Sequence, residues 1–177
     1  YSGLEGISNT LNNPTSYNVH TEEIVLVNPE KVGYTFTGWT GTDLAGNTME
    51  VKIEKGSVGD REYVANWNIN TYTLTYDLAE GTLAEGESIP ATYNVETKVE
   101  LPTPTRVGYT FTGWSDGTDT AMNVVLDGAT GNRHYTATWT ANSNTKYTVN
   151  HYQMNLDGTY NETATTTVEF FDGVSDG

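Results

Sequence analysis

Apolar and polar residues alternate with a period of two along several short stretches of this chain. Tyr72, Leu74, Tyr76 and Leu78 alternate with Thr71, Thr73, Thr75 and Asp77; Tyr63, Ala65 and Trp67 follow the same period, as do Tyr135, Ala137 and Trp139. Such a period sends successive side chains to opposite faces, so each stretch predicts a half-buried strand with one apolar face and one wet, largely Thr-rich face. The block from Gly33 to Trp39 is less simple, because strict alternation places Tyr34 and Phe36 on one face and Trp39 on the other. Gly38 offers a solution. A glycine inside a strand marks a bulge, and one extra residue shifts the register and turns Trp39 back toward the core. The same reading holds for Gly113 and Trp114, the alternative being indoles that face solvent and serve binding.

The chain repeats itself. Gly33-Tyr34-Thr35-Phe36-Thr37-Gly38-Trp39 recurs unchanged as Gly108-Tyr109-Thr110-Phe111-Thr112-Gly113-Trp114. Upstream, residues 14–19 answer 90–95 and residues 29–32 answer 104–107; downstream, residues 59–67 answer 131–139. Three matched blocks in register make a tandem duplication. The unit of about 70 residues lies near the lower size at which one core holds a domain without metal or cross-links, so each copy must bury its aromatics efficiently. The expected division is a first repeat over 1–69, a second over 70–141, and a truncated third β module over 146–177. The first link, Asn68-Ile69-Asn70, is too short for free jointing, whereas the polar link from Ala141 to Thr145 predicts more bending. In the third module, residues 147–152 and 166–171 predict two strands, with turn chemistry at Asn155-Leu156-Asp157-Gly158.

Composition agrees with this reading. Thr, Tyr, Val, Asn and Gly abound while Leu, Met and Ala are scarce, which suits strands and turns over helices. The formal charge of -15 arises from 23 acidic against 8 basic residues. Nucleic acid is a poor partner for such a chain, because phosphate binding needs clustered Lys and Arg. Anionic membranes are disfavoured for the same reason, and no apolar run long enough for a membrane span occurs. Excess carboxylate on an exposed protein serves solubility. The absence of cysteine removes disulfide and thiolate chemistry from consideration.

The Gly-Tyr-Thr-Phe-Thr-Gly-Trp block behind Pro-x-x-x, closed by Tyr-x-Ala-x-Trp, resembles the Listeria–Bacteroides repeat of the internalin B-repeat family over residues 1 to about 140. The resemblance implies a mainly β fold of tandem, small, β-grasp-like (ubiquitin-related) units with little helix, displayed on Gram-positive and gut bacterial surfaces. Its structural signature falls on Gly33, Tyr34, Phe36, Gly38, Trp39, Tyr63 and Trp67, and on Gly108, Tyr109, Phe111, Gly113, Trp114, Tyr135 and Trp139. The segment from Lys146 looks like the opening of a mucin-binding-protein-like module. Two departures stand out. Most of the strand corresponding to residues 71–76 is absent from the first copy, where Tyr1-Ser2-Gly3-Leu4 answers Tyr76-Asp77-Leu78-Ala79. Such a gap leaves an edge open or filled by another segment or molecule. Glu80-Gly81 also stands where the family carries Gly-Gly, which bears on turn type.

Each candidate for chemistry meets an internal control. His20 aligns with Glu96 and His134 with Glu62, so no imidazole role is common to both copies, and His151 reads as a polar strand residue. Asp116-Gly117-Thr118-Asp119 and Asn155-Leu156-Asp157-Gly158 lack the further acidic ligands of a calcium loop and read as turns. For a self-formed Lys–Asn isopeptide link of the kind surface modules carry, Lys31 aligns with Arg106, which cannot form it; Lys52, Lys55, Lys98 and Lys146 sit among polar or acidic neighbours. The sequence thus predicts no catalytic, cofactor-binding or metal-binding residue. Three readings follow: a spacer or stalk of a bacterial cell-surface protein, each copy adding roughly 30 Å; an adhesin module recognising a host surface protein or a glycan, with Tyr17, Tyr93, Tyr152 and Tyr160 as stacking platforms; or an accessory region of a surface enzyme. Export and anchoring signals are expected outside residues 1–177.

Overall fold

The computed structural model of the chain describes residues 1–143, 145–164 and 166–173. Asn144 of the second link, residues 174–177 of the expected third module and the Lys146 side chain lie outside the description. The described residues are all β and turn, without helix, in agreement with the mainly β expectation. In chain order the strands are β1 (Ile24–Val25), β2 (Tyr34–Gly41), β3 (Lys52–Ile53), β4 (Tyr63–Ile69), β5 (Tyr72–Asp77), β6 (Thr92–Tyr93), β7 (Val99–Glu100), β8 (Tyr109–Ser115), β9 (Thr120–Ala121), β10 (Val125–Leu126), β11 (Arg133–Ala141), β12 (Thr145–His151) and β13 (Thr166–Gly173). The chain divides into two compact units, one gathering residues 1–74, 90–99 and 126–132, the other residues 75–89, 100–125 and 133–177.

The duplicated sequence produces duplicated pairing. In the first copy β2 lies antiparallel to β4 and β1 antiparallel to β3. In the second, β8 lies antiparallel to β11, and β7 pairs with β10. The backbone bond from Leu26 N to the Val51 carbonyl (3.0 Å) has its counterpart from Leu101 N to the Val124 carbonyl (3.0 Å). The bridge between Trp39 and Thr48 corresponds to the pairing of Trp114 with Ala121 in β9. The second copy has a five-stranded sheet in the order β6-β5-β11-β8-β9, and in the first Ser2, aligned with Asp77 of β5, is bridged in parallel to Val64. Beyond residue 144, β12 and β13 form an antiparallel pair, and between them Met154 bridges Tyr160 around a turn closed by Gly158 N to the Asn155 carbonyl (3.0 Å).

The bulge sits beside the glycine that signalled it. In β2 the register passes from Phe36 opposite Trp67 to Gly38 opposite Asn66, leaving Thr37 as the extra residue. In β8 it passes from Phe111 opposite Trp139 to Gly113 opposite Thr138, leaving Thr112. Gly38 and Gly113 adopt φ of 122° and 139°, a region that L side chains rarely enter. A Cβ on Gly38 would also stand 2.8 Å from the Thr48 backbone nitrogen. The residue facing each bulge secures it: Asn66 Nδ2 donates to the Gly38 carbonyl at 3.1 Å, and Thr138 Oγ1 to the Gly113 carbonyl at 2.7 Å.

The buried positions correspond copy by copy: Leu26 with Leu101, Trp39 with Trp114, Ile53 with Leu126, Tyr63 with Tyr135, and Ala65 with Ala137. Trp39 is 0% exposed and Trp114 1%, so the bulge does return both indoles to the interior. The alternation read along β5 holds in part. Leu74 is buried and Tyr72 half-buried, but Tyr76, expected on the apolar face, is 40% exposed. Tyr76 stands near the end of β5, where a ring lies at the margin of what the sheet covers.

Removing a buried indole deletes its transfer energy and leaves a cavity, so Trp39→Ala and Trp114→Ala should each cost roughly 3–5 kcal/mol. Urea melts resolved by near-UV circular dichroism check this, and an unchanged midpoint in either variant contradicts it. Gly38→Ala and Gly113→Ala, which force a side chain into left-handed backbone, should each lose about 1–3 kcal/mol in the same assay.

Candidate functional site

Four indoles and two phenylalanines form two equivalent ring sets. Phe36 meets Trp39 and Trp67 edge-on, with centroids 5.5 and 5.3 Å apart; Phe111 meets Trp114 and Trp139 edge-on at 5.8 and 5.4 Å. This places the positive ring edge against the negative face, worth about 0.5–1.5 kcal/mol per pair beyond the area buried. Each indole N–H finds an acceptor. Trp67 Nε1 donates to the Gly3 carbonyl at 2.8 Å, and Trp139 Nε1 to the aligned Leu78 carbonyl at 3.1 Å. Trp114 Nε1 donates to the Pro102 carbonyl at 3.0 Å, while Trp39 Nε1 uses the Asn28 side-chain oxygen at 2.9 Å. Gly81 belongs to this packing, since a Cβ there would stand 2.4 Å from Trp139 Cζ2. Its neighbour Glu80 takes a φ of 65°, and its carboxylate pairs with Arg106.

Other side chains act in equivalent pairs as well. The Tyr17 hydroxyl donates to the Gly59 carbonyl at 2.5 Å and the Tyr93 hydroxyl to the Gly131 carbonyl at 2.5 Å. In the first copy Arg61 Nε donates to the Tyr17 oxygen at 3.0 Å, and that bond raises the Arg61 pKa further above its ordinary value. Lys31 lies 4.3 Å from the Tyr34 ring centroid and Arg106 3.8 Å from that of Tyr109, so the Lys-to-Arg exchange between copies keeps a cation over the ring.

The two links are held alike. Asn70 N donates to the Gly33 carbonyl at 2.8 Å and Asn142 N to the Gly108 carbonyl at 2.9 Å. Thr35 Oγ1 donates to Asn70 Oδ1 at 2.6 Å, and Thr110 Oγ1 to Asn142 Oδ1 at 2.7 Å. These asparagines were not singled out from the sequence, although both fall three residues beyond the closing tryptophan. Within the first compact unit the Tyr34 hydroxyl also donates to the Glu96 carboxylate.

The candidates weighed for chemistry are dispersed. His20 is exposed, and His134 Nδ1 meets Thr75 Oγ1 at 2.9 Å on the surface. Lys52 pairs with Glu50 at 2.9 Å and Lys55 with Glu22 at 2.5 Å, both in solvent. Asp116 turns its carboxylate onto its own loop, accepting from Thr118 N (2.9 Å), Thr118 Oγ1 (2.8 Å) and Asp119 N (2.9 Å). The backbone N–H of Asp119, then those of Thr118, hold its pKa down at about 2. Asp157 is lowered likewise by the Thr159 hydroxyl and N–H. Of the tyrosines considered as sugar platforms, Tyr93 is 2% exposed and unavailable, Tyr17 is half-buried with its hydroxyl engaged, and Tyr152 and Tyr160 are exposed. Among the described residues no helix is long and apolar enough to cross a membrane, and no group of three or more His, Cys, Asp or Glu is placed to hold a metal ion.

Paired indoles, paired bulges and paired link clamps define a tandem β repeat whose recurring residues serve packing. The chain belongs to the Listeria-Bacteroides repeat domain family, whose sequence model matches residues 4–62 and 72–157. It is similar to internalin H of Listeria monocytogenes serovar 1/2a, 34% identical over 105 residues, covering 58% of this chain and 18% of that protein. It is also similar to a protein of Evansella cellulosilytica named provisionally as a membrane protein, 29% identical over 134 residues, covering 75% of this chain and 18% of that one. The chain thus spans under a fifth of the length of either relative. No solved structure matches it.

Tyr93→Phe should cost about 1 kcal/mol by leaving the Gly131 carbonyl without its donor, measurable as a lower denaturation midpoint. Asp116 titrates below its ordinary 3.8 in the folded chain, so its turn contributes stability that is present above about pH 3.8 and is lost as pH falls through about 2. An NMR titration of its carboxyl carbon should place the midpoint near 2, and a midpoint near 3.8 contradicts the turn geometry.

Proposed function

We propose that these repeats form a non-catalytic spacer in a bacterial cell-surface protein, outside the membrane, carrying another domain away from the cell. The observation that supports this most is the link clamp. Asn70 and Asn142 are each bonded through main chain and side chain to the Gly-Tyr-Thr segment of their own copy. Two such bonds at each link remove backbone freedom that a flexible tether would keep, as a spacer of stiff units requires. The resemblance to part of internalin H is in keeping with this reading. A spacer requires a repeatable unit stiff at its ends, and needs neither a metal nor a convergent polar pocket.

A second reading is favoured by one observation. On the hairpin between β12 and β13, Met154, Leu156 and Tyr160 are exposed at 59%, 111% and 61%, beside exposed Tyr152. Large apolar side chains so exposed suit recognition of a host surface protein or a glycan. Retention of the chain on a glycan array or host-cell surface, abolished by Tyr152→Ala with Tyr160→Ala, would support it.

For the spacer, small-angle scattering on engineered arrays should show the maximum dimension rising by roughly 30 Å per added repeat. Nitrogen-15 relaxation should report one correlation time for both copies, and Asn70→Gly combined with Thr35→Val should separate them. A dimension that stays constant with repeat number, or independent tumbling in the unmodified chain, contradicts the proposal.

A further inference from the structure

Just ahead of β2 lies a position that has no room for a side chain. Gly33 takes a φ of 78° and its counterpart Gly108 one of 79°, both in the left-handed region. Backbone conformation alone would still admit an asparagine there. A second demand restricts Gly33 further, because a Cβ on it would stand 2.1 Å from Val95 Cγ1, 2.7 Å from Val95 Cγ2 and 2.9 Å from Val95 Cβ. The Val95 side chain fills the space directly over the glycine. Beside it the Tyr34 hydroxyl donates to the Glu96 carboxylate. That bond, ahead of burial, raises the Tyr34 pKa above its ordinary 10.0. Gly33, Tyr34, Val95 and Glu96 all belong to the first compact unit.

Each side of this contact is shaped by its own neighbours. The Gly33 carbonyl accepts from Asn70 N at 2.8 Å, Tyr34 N donates to the Lys31 carbonyl at 3.1 Å, and the Lys31 ammonium lies 4.3 Å from the Tyr34 ring centroid. On the other side Asn94 closes a tight turn. Its Oδ1 accepts from Glu96 N and from Thr97 Oγ1, each at 2.9 Å, and its carbonyl accepts from Thr97 N at 3.1 Å. Asn18 builds the same turn in the first copy, with Oδ1 accepting from His20 N at 2.8 Å and the carbonyl from Thr21 N at 2.9 Å. Each copy therefore carries both halves, Gly-Tyr at 33–34 and 108–109 and Asn-Val at 18–19 and 94–95. Two different patches that fit each other make a heterologous contact, the kind that passes from unit to unit without closing.

We infer that Gly33-Tyr34 is a docking seat whose partner is the Asn-Val-Glu turn of the following copy, with Val95 in the space a side chain at 33 would fill and Glu96 accepting from Tyr34. Its use as the joint of a stiff array rests on the spacer reading; the seat itself does not. Shape selects at the glycine, where only a bare backbone leaves room for a branched apolar side chain. Charge selects at the tyrosine, since a hydrogen bond to a carboxylate is stronger than one to a neutral acceptor.

In the unmodified chain a nuclear Overhauser effect should connect the Gly33 Hα protons with the Val95 methyl groups, a measurement that needs no variant. Glu96→Gln should move the Tyr34 titration, followed at its Cζ carbon, down toward 10.0. Val95→Asp should give the two copies separate correlation times. A double-mutant cycle divides the clash from backbone strain: Gly33→Ala should lower the melting midpoint roughly twofold more in the unmodified chain than in a Val95→Gly background. A missing Overhauser effect, an unmoved Tyr34 titration, or additive effects of the Gly33 and Val95 substitutions overturns the seat. Arrays that lengthen with repeat number while the Overhauser effect is missing leave the spacer standing and sink the seat; the Overhauser effect in arrays of constant dimension does the reverse.

Discussion

An indole sealed from water still carries an N–H that must be bonded, and this double requirement organises each copy of the repeat. The bulge at Thr37 and at Thr112 turns Trp39 and Trp114 inward, the left-handed glycine that follows makes the bulge possible, and Asn66 or Thr138 secures it from the opposite strand. Phenylalanine edges then fix the second indole, whose N–H reaches a carbonyl on the opening segment of the same copy. The closing strand and the opening segment are thereby tied together, and a unit of modest size closes its core without a disulfide.

Comparing the copies separates what the fold requires from what it tolerates. Where Lys31 becomes Arg106, the cation stays over a tyrosine ring. Where the donor facing the bulge changes from Asn66 to Thr138, the glycine carbonyl is still bonded. The acceptor for the deepest indole is less constrained: Asn28 offers a side chain and Pro102 a backbone carbonyl, and both satisfy the N–H. The histidine positions follow no such rule, since His20 and His134 face Glu96 and Glu62 in the alignment and lie on the surface in the fold. The recurring bonds hold the shape of each copy and tie its closing asparagine back to its own Gly-Tyr-Thr segment.

The sequence by itself determined the duplication, the strands and the bulge, because each leaves a local mark: a repeated block, a period of two, a glycine that breaks the alternation. It also pointed to turns at Asp116 and Asn155, where the acceptor and donors lie within a few residues of one another. Tertiary structure alone decided the rest. Trp67 and Trp139 find their acceptors 64 and 61 residues away in sequence, Tyr17 reaches Gly59 across 42, and no local pattern encodes such pairings. The exposure of Tyr76 and the clamps at Asn70 and Asn142 belong here too, since burial and hydrogen bonding depend on which strand lies alongside, and that is set only when the sheet closes.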